Sequence, residues 1–186
     1  MRAFHFLRDD MKAGHGSEPP WAVGEKRVIP SLLRIAPCQT GYHSSPTLFD
    51  ALFYAPGNVA CLVEIDDDAI AHGAPVDKYA SRSRKLLSAV NIERELRLFT
   101  ADCAENVLYL FEQMYPYDKR PREAIQAARD YAEGRITKEH ATNAAFNAAY
   151  AATYAAFNAA ANDARKYHRE RFQQIEDYVI AMAEEV

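Results

Sequence analysis

Apolar and polar positions first alternate between Ala3 and Leu7 (AFHFL), an aromatic-rich stretch whose period of two predicts a strand. Gly14, Gly16, Pro19 and Pro20 then mark a loop, after which Trp21 and Val23 are expected to open a second short strand. Val28 to Ile35 is β-branched and leucine-rich but carries Pro30, which predicts an edge or bulged strand. The period changes in Pro46 to Tyr54 (PTLFDALFY). Leu48, Phe49, Leu52 and Phe53 fall at helical spacing there, with Ser44 or Ser45 as the N-cap and Pro56-Gly57 as the stop. Val59 to Ile65 (VACLVEI) is a short apolar run bounded by Gly57-Asn58 and by three aspartates, and it predicts the central strand of a sheet.

Beyond Pro75, a basic cluster of Arg82, Arg84 and Lys85 leads into Leu86-Leu87, and a helix is expected from Ile92 to Met114. Asp118 is placed to cap a helix running to Glu133, with Gly134 as its left-handed stop, and Thr137 is placed to cap the last helix. That helix contains Asn143 to Asn162, NAAFNAAYAATYAAFNAAAN, in which Phe146, Tyr150, Tyr154 and Phe157 share one face. Alanine favours the helix and lets helix axes approach closely, so the ring stripe is either core or an aromatic surface offered to a partner. The expected fold class is α+β: a small mixed α/β domain over residues 1–90, then an antiparallel helical hairpin and a long alanine-rich helix over residues 91–186.

A chain of 186 residues that is 49% hydrophobic can bury one good core or two modest ones. Its formal charge of -4 lacks the basic excess that drives binding to a phosphate backbone, which disfavours nucleic acid as a partner. The apolar stretch in MRAFHFLRDDMKAG is too short for a signal-peptide core, and no run approaches the roughly 20 apolar residues of a membrane span. A soluble protein of the bacterial cytoplasm, with no membrane partner, is expected. Cys38, Cys61 and Cys103 show neither CxxC spacing nor a dense disulfide framework. The six histidines never stand four apart and none lies in an HExxH context, so neither a metal nor any other cofactor is expected. The common nucleotide-cradling glycine motifs and the GxSxG elbow are absent.

The most pointed local feature is Pro37 to Ser45, PCQTGYHSS, where a turn at Gly41 is followed by Tyr42 and His43. A histidine beside hydroxyls and a cysteine suits acid-base or nucleophilic chemistry, and equally suits a turn in which His43 packs or caps. The catalytic candidates are His43 and Glu64; the ligand-binding candidates are Tyr42, His43, Ser45, Arg82 and Arg84. Glu64, Asp66 and Asp68 converge only if their strand continues, and a solvated turn is the simpler reading. Arg82 and Arg84 alternate with serines, which fits either an anion site or plain surface exposure.

From Trp21 through Leu87 the order of features resembles a domain family of unknown function from bacteriophage and actinobacterial proteins. Trp21 and Gly24 are followed by Pro37, Cys38, Gly41, His43 and Ser45, then by a helix with Ala51 and Tyr54, by Val63 and Glu64, and by Lys78 to Leu86. More loosely, the order Gly41-Tyr42, Ser45-Pro46, Ala51, Tyr54-Ala55, Gly57 and Val63-Glu64 is similar to the middle motif of ADP-ribosyltransferases, a resemblance that implies NAD as ligand. Cys103 to Thr137, CAENVLYLFEQMYPYDKRPREAIQAARDYAEGRIT, resembles a helical segment of immunity proteins from bacterial toxin systems, which implies binding and neutralising a toxin.

The function expected from these features is a non-catalytic binding protein of a phage or mobile element that inhibits or sequesters a bacterial host protein, such as a defence component. Tyr115, Tyr117, Arg120, Arg122, Tyr150 and Tyr154 are its candidate partner-binding residues, because aromatics and arginines anchor interfaces out of proportion to area. Two other classes stand beside it: a nucleotide- or NAD-binding enzyme with its cleft at Tyr42, His43, Ser45 and Glu64, and a homo-oligomer assembled through alanine-aromatic helices.

Overall fold

The structure, a computed structural model, describes residues 1–144 and 162–184, with the side chains of 162–168 excepted. Strands β1 (Arg2–Leu7), β2 (Lys26–Val28), β3 (Tyr42–Ser44), β4 (Val59–Ile65), β5 (Ile70–His72), β6 (Lys78–Ser81) and β7 (Ser83–Asn91) form two antiparallel sheets. The larger runs β1-β4-β7-β2 and the smaller β3-β6-β5. Helices α1 (Leu48–Leu52), α2 (Glu93–Met114), α3 (Arg120–Ala132) and α4 (Asn162–Glu184) complete the labelled elements, and residues 138–144 are also helical. The architecture is thus α+β, with mixed sheet and helix first and a helical hairpin after it.

The chain divides into two compact units, one made of Met1–Ile92 together with the chain from Phe172 onward, the other of Glu93–Arg171. In the first unit β4 is buried along nearly its whole length, as an apolar run flanked by strands on both sides must be. Ala3 and Leu7 of β1, Val59, Cys61, Val63 and Ile65 of β4, Leu86 of β7 and Trp21 form one core cluster. Phe4, Phe6, Ala60 and Leu62, the residues of opposite parity, are buried too. Helix α1 packs on β1. Phe172, Ile175 and Val179 of α4, spaced three and four apart, are buried on one helix face, and Phe172 meets Phe49 of α1 edge-on at 5.7 Å. Glu176 accepts the Leu48 N–H at 2.7 Å, so α4 supplies an acceptor to the start of α1.

Several expectations about local structure need correction. Trp21 and Val23 begin no strand: Trp21 is buried in a loop, and the strand starts at Lys26. Pro30 ends pairing rather than bulging it, and residues 30–41 are turns with a single bridge, Ala36 to Thr40. The cap of α1 is Thr47, whose Oγ1 accepts the Asp50 N–H at 3.1 Å, while Ser44 and Ser45 belong to the strand and bridge before it. Lys119 stands at the N-cap of α3, and Asp118 one residue earlier accepts the Arg120 N–H at 3.1 Å. Residues 78–91, where a basic cluster leading into a helix is expected, instead hold the two strands β6 and β7. Gly57 is fixed by a close backbone approach: a Cβ there would stand 2.7 Å from the Arg8 Cα.

In the second unit α2 and α3 form an antiparallel hairpin around Ala101, Leu108 and Ile125. Cross-helix ion pairs lace it: Arg129 to Asp102 and Glu105, Arg122 to Glu112, and Arg94 to Glu133. Arg97 pairs with Glu93 and lies 4.4 Å from the centre of the Tyr131 ring. Gly134 ends α3 with φ of 70°, and Thr137 Oγ1 accepts the His140 N–H as a cap to the next helical turns.

Candidate functional site

The first unit contains a cleft of about 990 Å³ built against β1, β3, β6 and β7 and the loops beside them. Its lining is mixed. Phe4, Ile29, Phe53 and Tyr54 supply apolar surface, and Arg84, Lys78, His5 and His43 supply nitrogen.

Arg84 enters the cleft from β7 and is 3% exposed, which overturns plain surface exposure as the reading of its serine-flanked position. Its Nη1 donates to the His43 carbonyl at 3.2 Å, and its guanidinium lies 4.5 Å from the Trp21 ring centre and 5.1 Å from that of Tyr42. Among the described residues no carboxylate forms an ion pair with it. Burial lowers its pKa to about 10, so it remains charged at neutral pH.

Tyr42 stands edge-on to Trp21 at 5.5 Å and donates its hydroxyl to Glu18 at 3.0 Å. Burial, then that carboxylate, pushes its pKa up to about 12. Glu18 also pairs with Arg27 at 3.4 Å, and Arg27 in turn covers the Trp21 ring at 4.1 Å. The one carboxylate among the described lining residues is therefore already engaged.

His43 Nε2 accepts the Cys38 N–H at 3.0 Å, which fixes a neutral ring with its proton on Nδ1. Burial, followed by the charges of Lys78, Arg84 and His72, lowers its pKa from the ordinary histidine value. His5 faces Cys61 across the β1-β4 pairing, and its Nε2 is buried without a partner among the described residues. Burial first, and Arg84 second, hold its pKa well below the usual range. Lys78 lies 4.1 Å from the Tyr54 ring centre and makes no ion pair among the described residues. Cys38 takes a left-handed conformation with φ of 62°, and its sulfur is 3.9 Å from His72 Nε2.

Of the residues singled out from the sequence, Tyr42, His43, Ser45 and Arg84 share this cleft. Ser45 is buried and joins β1 by two backbone bonds of 2.8 Å to Phe4. Arg82 stands apart from it, donating to the carbonyls of Pro30 at 2.8 Å and Leu33 at 3.1 Å, and so ties down that turn. Glu64 lies on β4 opposite Arg2 and Lys85, exposed and outside the cleft. The strand stops at Ile65: Asp66 turns back to hold the Ser83 N–H and hydroxyl, and Asp67 meets the N-terminal amine at 2.8 Å. The acids therefore do not converge. His5, Glu18, Trp21, Tyr54 and Lys78 belong to the neighbourhood of Arg84 or His43 without being among the candidate site residues. Trp21, Tyr54 and Lys78 stand in the motifs that carry the family resemblances, and His5 carries a signal of its own, a polar residue between Ala3 and Leu7 on the buried parity of β1.

In the second unit Tyr115, Tyr117, Arg120 and Arg122 gather around the turn between α2 and α3. Tyr117 is 95% exposed, and Tyr109 and Met114 add exposed apolar surface nearby in sequence. Tyr115 stacks on Phe111 at 5.0 Å, while Arg120 pairs with Asp118 and Arg122 with Glu112, so both arginines already have acidic partners. Tyr150 and Tyr154, with the rest of the ring stripe, lie outside the described residues. Among the described residues no three His, Cys, Asp or Glu side chains are grouped as a metal site, and no helix is long and apolar enough to cross a membrane.

No curated protein and no solved structure matches the chain. Residues 87–168 match the family described as "Imm-5 like putative immunity protein", which supports, at that coarse level, a protein of the immunity type acting on a protein partner.

Proposed function

We propose that the chain is a non-catalytic binding protein that neutralises a bacterial toxin or a toxin-like defence protein by occupying it with the turn between α2 and α3. The observation that carries this reading is the exposed turn itself. Tyr117 is 95% exposed, with Tyr115 and Met114 beside it, inside the segment that matches the immunity-like family. Aromatics held on a rigid hairpin lose little conformational freedom on binding, and a few such anchors dominate interface energetics. The ion pairs across the hairpin support this role by fixing the turn rather than by contacting the partner. Genetic carriage by a phage or mobile element fits the resemblance of the first unit.

The test is protection of bacterial cells that express a panel of toxin domains, each with and without this protein, followed by binding measurements on any protected pair. A protected toxin should bind at one-to-one stoichiometry. Tyr117→Ala should weaken that complex by about tenfold or more, without moving the melting temperature, because the side chain touches solvent. Protection that survives Tyr117→Ala together with Tyr115→Ala and Met114→Ala would place the interface elsewhere, and absence of protection across the panel would remove the toxin assignment.

A further inference from the structure

We infer that the cleft of the first unit binds a small phosphate monoester with an aromatic or apolar body, its phosphate held by Arg84 and Lys78 beside His43. The inference is independent of the toxin reading and concerns the other unit.

Arg84 is the reason. A guanidinium carries five N–H donors, and this one, 3% exposed, has among the described residues a single backbone acceptor and two ring faces as neighbours. Buried arginines are ordinarily matched by a carboxylate, because desolvating the charge is costly. Glu18, the only carboxylate among the described lining residues, bonds Tyr42 and Arg27 and reaches Arg84 only as a charge through space. Arg84 therefore lines the cleft with a planar donor fork that makes no direct ion pair among the described residues, the geometry that matches an oxyanion.

Charge counting narrows the class. Lys78 lines the same cleft without an ion pair among the described residues, and His43 is within electrostatic reach of both cations. Two positive charges without a direct ion pair among the described residues suit a dianionic phosphate better than a single carboxylate. The buried, unpartnered Nε2 of His5 and Oγ of Ser44, both in the lining, add polar atoms with unused capacity. Phe4, Ile29, Phe53 and Tyr54 give the lining large apolar and aromatic surfaces beside polar His15, Gln39 and Ser45, so the phosphate should carry a flat or apolar body.

Trp21, the single tryptophan, supplies the readout, since its ring centre is 4.5 Å from the Arg84 guanidinium. The full chain is titrated with phenyl phosphate, inorganic phosphate and benzoate while Trp21 emission is followed. Phenyl phosphate should give a saturable change, inorganic phosphate should bind about tenfold more weakly, and benzoate should bind more weakly still. Arg84→Met should weaken phenyl phosphate by more than about tenfold, and Lys78→Met by a smaller factor of about three to ten. If Arg84→Met does not fold by circular dichroism, Arg84→Lys and Lys78→Met decide. No saturable response to either phosphate up to about 10 mM, a response unchanged in both the Arg84 and Lys78 variants, or benzoate binding as tightly as phenyl phosphate would each overturn the assignment.

Discussion

Replacing Arg84 by methionine should leave the folded chain almost as stable as before, although the residue is 97% removed from solvent by its 3% exposure. The depression of its pKa from 12.5 to about 10 corresponds to ~3 kcal/mol held against the charged form. Against this stand two ring contacts worth ~1 kcal/mol each and one hydrogen bond to the His43 carbonyl worth ~1 kcal/mol. The terms nearly cancel. Deleting one member of a buried ion pair normally costs about 3–5 kcal/mol because the other charge is stranded, but no carboxylate here is left behind. Methionine, unbranched and deformable, refills most of the volume. The expected change is below about 1.5 kcal/mol, or under about 1 M in a urea midpoint. The assay is urea unfolding followed by Trp21 emission, which reports on the first unit alone. A loss above about 3 kcal/mol would refute the reasoning: Arg84 would then be a strut that the unit needs, and its charge would say nothing about a ligand.

Other substitutions test other parts of the same frame. Phe172→Ala should cost about 3–5 kcal/mol, read by the same unfolding curve, because Phe172 is 1% exposed and packs on Phe49; a loss below about 1 kcal/mol would mean that α4 does not dock on α1. Glu176→Gln should raise the urea midpoint at pH 7. Burial raises the Glu176 pKa above 4.5, so the fold binds that proton more tightly than the unfolded chain does. Stability from this group is greatest below pH 4.5 and falls as the pH rises through its folded value; glutamine keeps an acceptor for the Leu48 N–H and should flatten that fall. A midpoint unchanged at pH 7, with the same pH profile as the native chain, would show that the carboxylate is not penalised.

The strongest local patterns in the sequence were legible because one physical effect dominated each. Val59–Ile65 is short, apolar and bounded by turn residues, and it emerges as an inner strand of the larger sheet. The helix expected from Ile92 to Met114 and the stop at Gly134 follow from periodicity and from the conformational freedom of glycine. Strands β6 and β7 were hidden because serines and an arginine stand beside Ala80 and Leu86 among their buried positions: Ser81, Ser83 and Arg84 look like surface until their partners are known. Ser81 donates to the Ser83 carbonyl at 2.8 Å, and Ser83 is held by Asp66, contacts between residues whose pairing no periodicity encodes. The cleft was half legible. The Gly41-Tyr42-His43 turn drew notice, but Glu18 and Lys78 reach it from distant loops and strands, and only the tertiary fold brings them beside Arg84.

The first unit is discontinuous, with residues 93–171 intervening between its two parts. A ribosome therefore emits the sheet and α1 well before it emits Phe172, Ile175, Glu176 and Val179, which cover α1 and accept its first N–H. Through that interval the nascent chain exposes the apolar flank of α1 and an unsatisfied helix start, while α2 and α3 already hold the apolar residues of their own core cluster. The order of folding thus runs against the order of synthesis: the later-made hairpin can close first, and the earlier-made sheet completes only when α4 arrives.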